Sequence, residues 1–163
     1  MNRARLNAIP PGRIHAVSVS NRKGVVKHNV AQARLVVDHG LAGDVHAEGG
    51  IRQVSLLSLA SINKMVAAGA RVKPGDLAEN LTVEGLEVMT LPVGTRLKVG
   101  GTVELEITQI GKACHQGCAI REQVGDCVMP REGVFARVLK EGLVQPGDVI
   151  EVVYVPGGHS DGQ

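Results

Sequence analysis

The sequence has almost no aromatic residues. Among 163 residues, Phe135 and Tyr154 are the only two, and tryptophan is absent. The core must therefore be built from aliphatic side chains, and there is no set of rings on which single-stranded bases could stack. The net charge of +2 is spread as mixed signs and gives no basic stripe for a duplex backbone. These features argue against nucleic acid as a partner.

Long apolar segments are also missing. No apolar run approaches the roughly 20 residues that a membrane-spanning helix needs. The arginines in Met1–Gly12 are not followed by the apolar segment of a signal peptide. Three cysteines are an odd number and cannot form a closed disulfide framework. We therefore expect a cytoplasmic protein without membrane association, whose thiols are kept reduced.

What is present is a mainly β pattern interrupted by turns. Glycine occurs 21 times and proline 7 times, which favours short elements joined by tight turns. Few helices and no strand–helix alternation favour a closed or nearly closed antiparallel or mixed β structure over 13–155, with flexible tails at 1–12 and 156–163. The predicted strands are Arg13–Ser20, Gly24–His28, Gln32–Asp38, Arg52–Leu57, Leu81–Val83, Thr95–Val99, Thr102–Ile110, Gly133–Leu139 and Asp148–Val155.

One helix and one tight turn can be predicted in more detail. Apolar residues recur at helical spacing within Ser58–Ala68, which predicts a helix capped by Ser58 or Ser61 and ended by Gly69. Gly100–Gly101 separates two strands and suits a two-residue primed turn, because both positions of such a turn require positive φ.

The most informative segment is Gly111–Cys118, which follows a predicted strand and contains Cys114 beside Lys112 and His115. Nearby positive charge favours the thiolate, the form of cysteine that binds soft metals or attacks sulfur. The alternative is that Cys114 is a small buried hydrophobic residue, the usual place of a free cysteine. Glycine and charge on both sides favour a functional role.

The other two cysteines, Cys118 and Cys127, carry a weaker signal. The spacing from Cys114 to Cys118 is not the C-x-x-C of zinc ribbons, and no second pair lies downstream. A structural zinc held by the three cysteines and one histidine is one open alternative. A disulfide formed on oxidation is another.

Polar residues outside this segment are candidates for binding an anionic ligand. His46 lies in the glycine-rich loop Gly40–Gly50, between two acidic residues, which suits either a ligand contact or a plain surface loop. Arg52 follows that loop and offers a fork of donors matched to phosphate. Asn80 could present its amide to a heterocycle, or it could simply stabilise a turn.

Several ordered segments resemble the MOSC domain, which is named after the C-terminal part of molybdenum cofactor sulfurases. The resemblance extends from about Arg13 to Val153 and is far more specific than a single short motif. It is carried by Gly40–Ala47, Arg52–Leu57, Pro74–Leu86, Leu91–Leu97, the segment around Cys114 and Gly133–Leu139.

The resemblance implies a β-rich barrel with one or two short helices and a protein that handles sulfur or the pyranopterin molybdenum cofactor. In amidoxime-reducing members the cysteine at the position of Cys114 ligates molybdenum, so Cys114 is the predicted catalytic residue and metal ligand. An arginine of those enzymes corresponds to Ala78 here, which removes one cofactor contact. The predicted cofactor-binding residues are His46, Arg52, Asn80, Thr82 and Lys112.

Three hypotheses follow for the activity. The chain binds the molybdenum cofactor, for example in reduction of N-hydroxylated compounds, with electrons from a separate flavin or haem protein. Alternatively, Cys114 carries sulfur for cofactor or metal–sulfur assembly. The chain lacks a cysteine desulfurase domain of its own, so a desulfurase or another cofactor-biosynthesis protein is the expected partner. The third hypothesis is a non-enzymatic binding module with a structural zinc at the cysteines.

Overall fold

The structure is a computed structural model that describes residues 9–20, 27–44, 47, 49–111 and 132–157. Within these residues the chain forms eleven strands, one α-helix and one 3₁₀ helix, η1. In chain order they are β1 (Gly12–Val19), β2 (His28–Val30), β3 (Ala33–Val36), β4 (Gly40–Leu41), β5 (Val54–Ser58), α1 (Leu59–Ala67), β6 (Leu81–Glu84), η1 (Val88–Thr90), β7 (Arg96–Val99), β8 (Val103–Ile110), β9 (Val134–Lys140), β10 (Gly142–Val144) and β11 (Val149–Tyr154).

Seven strands close into a barrel. The sheet runs β11-β7-β8-β9-β5-β6-β1, and an additional pairing of β11 with β1 completes the ring. Within the ring only β5 and β6 pair in parallel. A parallel pair needs a crossover connection, and α1 lies within that connection. The strands β10, β3 and β4 form a second, small sheet. The predicted β-rich barrel with a short helix is therefore confirmed.

The interior of the barrel is aliphatic, as the shortage of aromatic residues predicts. Along β8, the apolar residues Val103, Leu105 and Ile107 are fully buried, while the residues between them are partly exposed. This alternation places every second side chain inside the ring. One continuous cluster fills the interior, drawing on all seven barrel strands. Closure also leaves the seven strands without a free edge along their paired length.

The helix α1 covers part of the outer wall. Its residues Ile62 and Met65 pack with Leu57 of β5 and Leu77 of the following loop, in a second apolar cluster separate from the interior. Gly69 follows the helix at φ +104°, a conformation that L side chains rarely adopt, and so ends it as predicted.

The prediction that Ser58 or Ser61 caps α1 is correct for the position of Ser58 but not for a hydrogen bond from its side chain. Ser58 occupies the N-cap position but makes no side-chain cap hydrogen bond. Its hydroxyl donates to the carbonyl of Leu86 and accepts from the amide of Val88, because η1 lies against the start of the helix. The hydroxyl of Ser61 donates to Glu132 at 2.5 Å. Both serines therefore connect the helix to other parts of the chain.

The turn between β7 and β8 is one residue longer than predicted. Val99 pairs with Val103, so Thr102 joins the two glycines in the connection. Gly100 and Gly101 both have positive φ, at 65° and 89°. Both glycines therefore have the positive φ that was the reason to expect them in this turn, although the register of the hairpin is shifted by one residue.

Short elements account for the other differences from prediction. Gly40 and Leu41, expected in a loop, form β4, because Leu41 is fully buried and pairs with Leu35. Neither β10 nor η1 was predicted, since three residues carry too little pattern. Of the described residues, no helix has the length and apolar character needed to cross a membrane.

Candidate functional site

A layer of polar side chains lies on the outer wall of the barrel beside α1. On β1, β5 and β6, the interior residues Val17, Leu56 and Leu81 are each adjacent in sequence to a polar residue that faces the other way. These outward residues are Ser18, Ser55 and Thr82, and all three are nonetheless buried. The loop that leads from α1 to β6 covers them, since Ser55 donates to the carbonyl of Ala78 and Gly75 lies against Ser18. We call this layer the outer polar network.

Asn80 is the centre of the outer polar network. Its Oδ1 accepts from the amide of Ser55 at 3.0 Å, and its Nδ2 donates to the carbonyl of Ser18 and to Asp44 Oδ2, both at 3.2 Å. The side chain is 4% exposed. The amide is therefore fully engaged within the protein, and a cofactor contact by Asn80 would require one of these bonds to be exchanged. Its predicted cofactor role stays a prediction.

Asp44 forms a buried ion pair with Lys27. The Lys27 Nζ lies 2.7 Å from Asp44 Oδ1, and the two side chains are 3% and 1% exposed. The amide of Ser20 donates to the same oxygen at 2.9 Å. Burial works against ionisation, but the hydrogen bonds from Lys27, Ser20 and Asn80 and the charge of Lys27 outweigh it, so the pKa of Asp44 lies below its ordinary value. Asp44 is thus a stable buried carboxylate.

Glu79, next to Asn80, is a second buried carboxyl group with a different environment. Its side chain is fully buried, and Oε2 accepts from the amide of Gly75 and the hydroxyl of Thr82, both at 2.9 Å. Oε1 has no hydrogen-bond partner in the part of the chain that the structure describes. Burial raises the pKa of Glu79, and these hydrogen bonds offset the effect only in part.

Thr82 is fully buried and donates its hydroxyl to Glu79. Its hydroxyl therefore serves the loop before β6 in this structure. The prediction that Thr82 contacts a cofactor stays a prediction.

The backbone is strained at Ala78, just before these residues. Ala78 has φ +70°, the left-handed region that alanine rarely occupies. Its carbonyl accepts from the Ser55 hydroxyl at 3.1 Å. The contacts of the outer polar network thus hold this residue in an unfavourable conformation.

Arg52 lies outside this layer, on the surface just before β5. Its side chain is exposed, and no hydrogen bond or ion pair involves it among the residues that the structure describes. The residue before it, Ile51, is held to the barrel because its carbonyl accepts from the hydroxyl of Thr108. The guanidinium is therefore accessible to solvent, and the role of Arg52 as an anion contact stays a prediction.

The segment that contains Cys114 connects β8 to β9, on the same barrel wall as β6 but not adjacent to it. It begins after β8 and returns before β9, and the amide of Gly111 donates to the carbonyl of Gly133 at 2.6 Å across its base. Register pairs connect Ile110 to Val134, Val134 to Leu56 and Leu56 to Leu81, the residue after Asn80. The base of the segment is therefore two strands away from the start of β6 in the barrel wall.

Part of the prediction lies outside the described residues. This holds for Cys114, Lys112, His46, Cys118 and Cys127. Among the residues that are described, no group of three or more His, Cys, Asp or Glu side chains is arranged to hold a metal ion. The structure thus places Asn80 directly before β6, Thr82 on β6 and Arg52 on the surface just before β5. The cysteine predictions stay untested.

Sequence reasoning missed most of the residues that connect the site. Asp44 and Glu79 lie inside the segments Gly40–Ala47 and Pro74–Leu86 that resemble the MOSC domain, and this position is the sequence signal that points to them. Lys27 gave no signal, because a lysine in a short predicted strand usually has its charged end at the surface.

Comparison with known proteins identifies the family. A sequence profile of the MOSC domain matches residues 42–151, more than half of the chain. This chain belongs to the MOSC domain family. The resemblance noted from the sequence is thereby confirmed, and the closed barrel described above is the fold of a MOSC protein. A search of curated proteins finds no match.

Solved structures share the fold of this MOSC chain at low identity. The YuaD protein from Bacillus subtilis is 19% identical with a TM-score of 0.74, over 88% of this chain and 96% of that one. YiiM from Geobacillus stearothermophilus is 19% identical with a TM-score of 0.67, over 88% and 76%. YiiM from Escherichia coli is 16% identical with a TM-score of 0.63, over 89% and 70%. At such identities the likeness establishes the fold alone.

Proposed function

We propose that this MOSC protein binds a pyranopterin molybdenum cofactor, carries sulfur on Cys114, or does both in turn. Membership of the MOSC family is the observation that supports the proposal most strongly. The position of the Cys114 segment, whose base lies two strands from Asn80 in the barrel wall, adds support. A thiolate suits either role, because it is both a soft metal ligand and a sulfur nucleophile.

The described residues fit a phosphate-bearing cofactor in part. Arg52 has an exposed guanidinium and would hold the phosphate, together with Lys112. Asn80 and Thr82 use their polar atoms inside the protein, so in this conformation they support the wall behind the site. When bound, the cofactor would supply a molybdenum centre for two-electron redox chemistry, with Cys114 as the thiolate that holds the metal.

Metal content tests the ligand role. The protein would be co-expressed with the cofactor pathway, purified, and analysed for molybdenum and zinc. We expect molybdenum in the wild type, little in Cys114→Ala, and unchanged amounts in Cys118→Ala and Cys127→Ala. Equal molybdenum in wild type and Cys114→Ala would reject the ligand role. Stoichiometric zinc that is lost in Cys118→Ala or Cys127→Ala would favour the structural zinc site instead.

Mass spectrometry tests sulfur carriage. The Cys114 thiolate would attack the terminal sulfur of a desulfurase persulfide, forming a new S–S bond while the desulfurase cysteine leaves as a thiolate. Incubation with a cysteine desulfurase and cysteine should then add one sulfur atom to the wild type and none to Cys114→Ala. No added sulfur, with a known acceptor labelled in parallel, would count against this role.

Partners and location belong to the same proposal. A cysteine desulfurase or another cofactor-biosynthesis protein would supply sulfur, and a separate electron-transfer protein would supply electrons to a reductase. We expect this chain and both of these partner proteins to be in the cytoplasm. Co-purification of the tagged chain from cytoplasmic extract, with Cys114→Ala as the matched control, checks this expectation.

A further inference from the structure

We propose that Glu79 is a proton-dependent latch, which in its neutral form closes the 75–82 segment on itself and fixes the Asn80 amide in the outer polar network. This inference concerns the chain's own conformation and does not rest on the proposed function. It begins from contacts that span Asn80 in sequence: Glu79 Oε2 accepts from the Gly75 amide on one side and from the Thr82 hydroxyl on the other.

Burial and the lack of a paired cation among the described residues favour the neutral form of the Glu79 carboxyl group. The side chain is fully buried, and no ion pair is formed by Glu79 within the described part of the chain. A buried carboxylate without a cation is costly to form, whereas the neutral acid keeps both accepted hydrogen bonds on Oε2. The raised pKa of Glu79 agrees with this reading.

Charged groups on the neighbouring elements are already engaged with one another. Lys27, whose backbone lies against Gly75, pairs with Asp44 at 2.7 Å. In the loop itself, Lys73 pairs with Asp76 at 2.8 Å. Among the described residues, the adjacent elements also carry the pairs His15–Glu84 between β1 and β6 and Lys64–Glu132 beside α1, and Arg71 of the same loop has a contact of its own. None of these cations donates to Glu79 in the contacts described, so a carboxylate at Glu79 in the closed segment would have no cation to offset the cost of its burial.

The latch controls Asn80 because the 75–82 segment is tightly packed and its backbone is strained. Gly75, at φ +97°, lies so close to Ser18 that an added Cβ would be 2.9 Å from the Ser18 hydroxyl. Ala78 is strained at φ +70°. An ionised Glu79 would accept these two hydrogen bonds more strongly, but it would be a buried charge without a cation. Movement of the 75–82 segment that brings the carboxylate to water would remove this cost and release the strain, and the Asn80 amide would then leave Ser18 and Asp44.

The sign of the pH dependence follows from the direction of the pKa shift. The closed form holds its proton more tightly than the open form, whose carboxyl has the ordinary value of 4.5. Closure is therefore fully favoured below that value and weakens as pH rises toward the pKa of the closed form. Above that pKa, the equilibrium between the closed and open forms no longer changes with pH.

Nuclear magnetic resonance of the whole, cofactor-free chain tests the latch. Hydrogen exchange of the Asn80 side-chain amide would be followed from about pH 5 to 9 in wild type and in Glu79→Gln, which keeps an acceptor but cannot ionise. We expect the ratio of exchange rates, wild type over Glu79→Gln, to rise by up to about tenfold per pH unit and then to level off where the Glu79 carboxyl carbon titrates. A flat ratio, or a Glu79 carboxyl that titrates at its ordinary value, would overturn the proposal.

Two further variants keep the test decisive. Thr82→Val removes one hydrogen bond to the carboxylate, so the Glu79 midpoint should move to higher pH, and an unmoved midpoint would contradict the latch. Glu84→Gln changes an exposed glutamate on the same strand and should leave the midpoint where it is. Because every readout is made without cofactor, failure of the latch and failure of the proposed function are distinguishable.

Discussion

Asp44 and Glu79 are two buried carboxyl groups on the same outer wall of the barrel, and their pKa values move in opposite directions. Both accept two or more hydrogen bonds from neighbouring groups. Asp44 also has the ammonium group of Lys27 at 2.7 Å, whereas Glu79 forms no ion pair among the described residues. On this wall, hydrogen bonds alone do not stabilise an ionised carboxylate enough to offset its burial. Hydrogen bonds together with a paired cation do.

The largest effect should come from removing that cation. Lys27→Met leaves Asp44 buried without its partner, so the free energy of unfolding should fall by about 3–5 kcal/mol in urea at neutral pH. The double variant Lys27→Met/Asp44→Asn should recover part of the loss. The exposed pair Arg34–Glu141 is the control, and Glu141→Gln should change stability by about 0–1 kcal/mol. Equal effects at the two sites would break the comparison.

Asn80→Asp should have the next largest effect on the free energy of unfolding. It replaces the amide nitrogen that donates to Ser18 and Asp44 with an oxygen, placing a second carboxylate against Asp44. The loss should be about 2–3 kcal/mol at neutral pH, since a buried hydrogen bond becomes a repulsion. Because protonation of the new carboxyl restores a donor, part of the loss should be regained toward pH 4.5 or so. A loss that does not change with pH would argue against repulsion by Asp44.

Glu79→Gln should have a smaller effect of the opposite sign. Below the ordinary pKa of 4.5 the two proteins should be about equally stable, since both side chains are neutral there. As pH rises, the wild type loses stability that the variant retains, by about 1.4 kcal/mol for each unit by which the pKa is raised. Chemical unfolding at several pH values measures the gap. A variant less stable than wild type at neutral pH would show that Glu79 is ionised and stabilised by a partner.

Ala78→Gly should have the smallest effect. Glycine tolerates φ +70° without strain, so the variant should be stabilised by about 0.5 kcal/mol, with the lost strain partly offset by entropy of the unfolded chain. Ala67→Gly within α1 is the matched control and should destabilise by about 0.5–1 kcal/mol. Destabilisation of similar size by both substitutions would mean that Ala78 is not strained.

The sequence predicted the barrel well because its strands alternate clearly. β7 and the first part of β8 carry apolar residues at every second position, and this pattern can be detected without knowledge of the tertiary packing. Elements of two or three residues, such as β4 and β10, were missed because so short a stretch has no period to detect. The strand conformation of β10 depends on pairing with β3, far away in the chain, whereas β4 pairs with the same strand across a short turn.

The site was only partly predictable for a related reason. Asn80 could be singled out from its motif, but its engagement with Asp44 and Ser18 depends on three segments that meet only in the folded chain. Lys27 is the clearest example, since nothing in the local sequence distinguishes a buried lysine from an exposed one. Its burial follows from the position of Asp44, which no spacing rule gives.

The ring of strands closes through a short seam, and this has a consequence for folding kinetics. β1 and β11 share two register pairs, Gly12 with Ile150 and Arg13 with Val149, while β8 and β9 share six. The seam joins strands from the two ends of the domain, so the loop-closure entropy for it is large and its reward in hydrogen bonds is small. We expect the seam to form late during folding, and its backbone amides to exchange with deuterium sooner than those between β8 and β9.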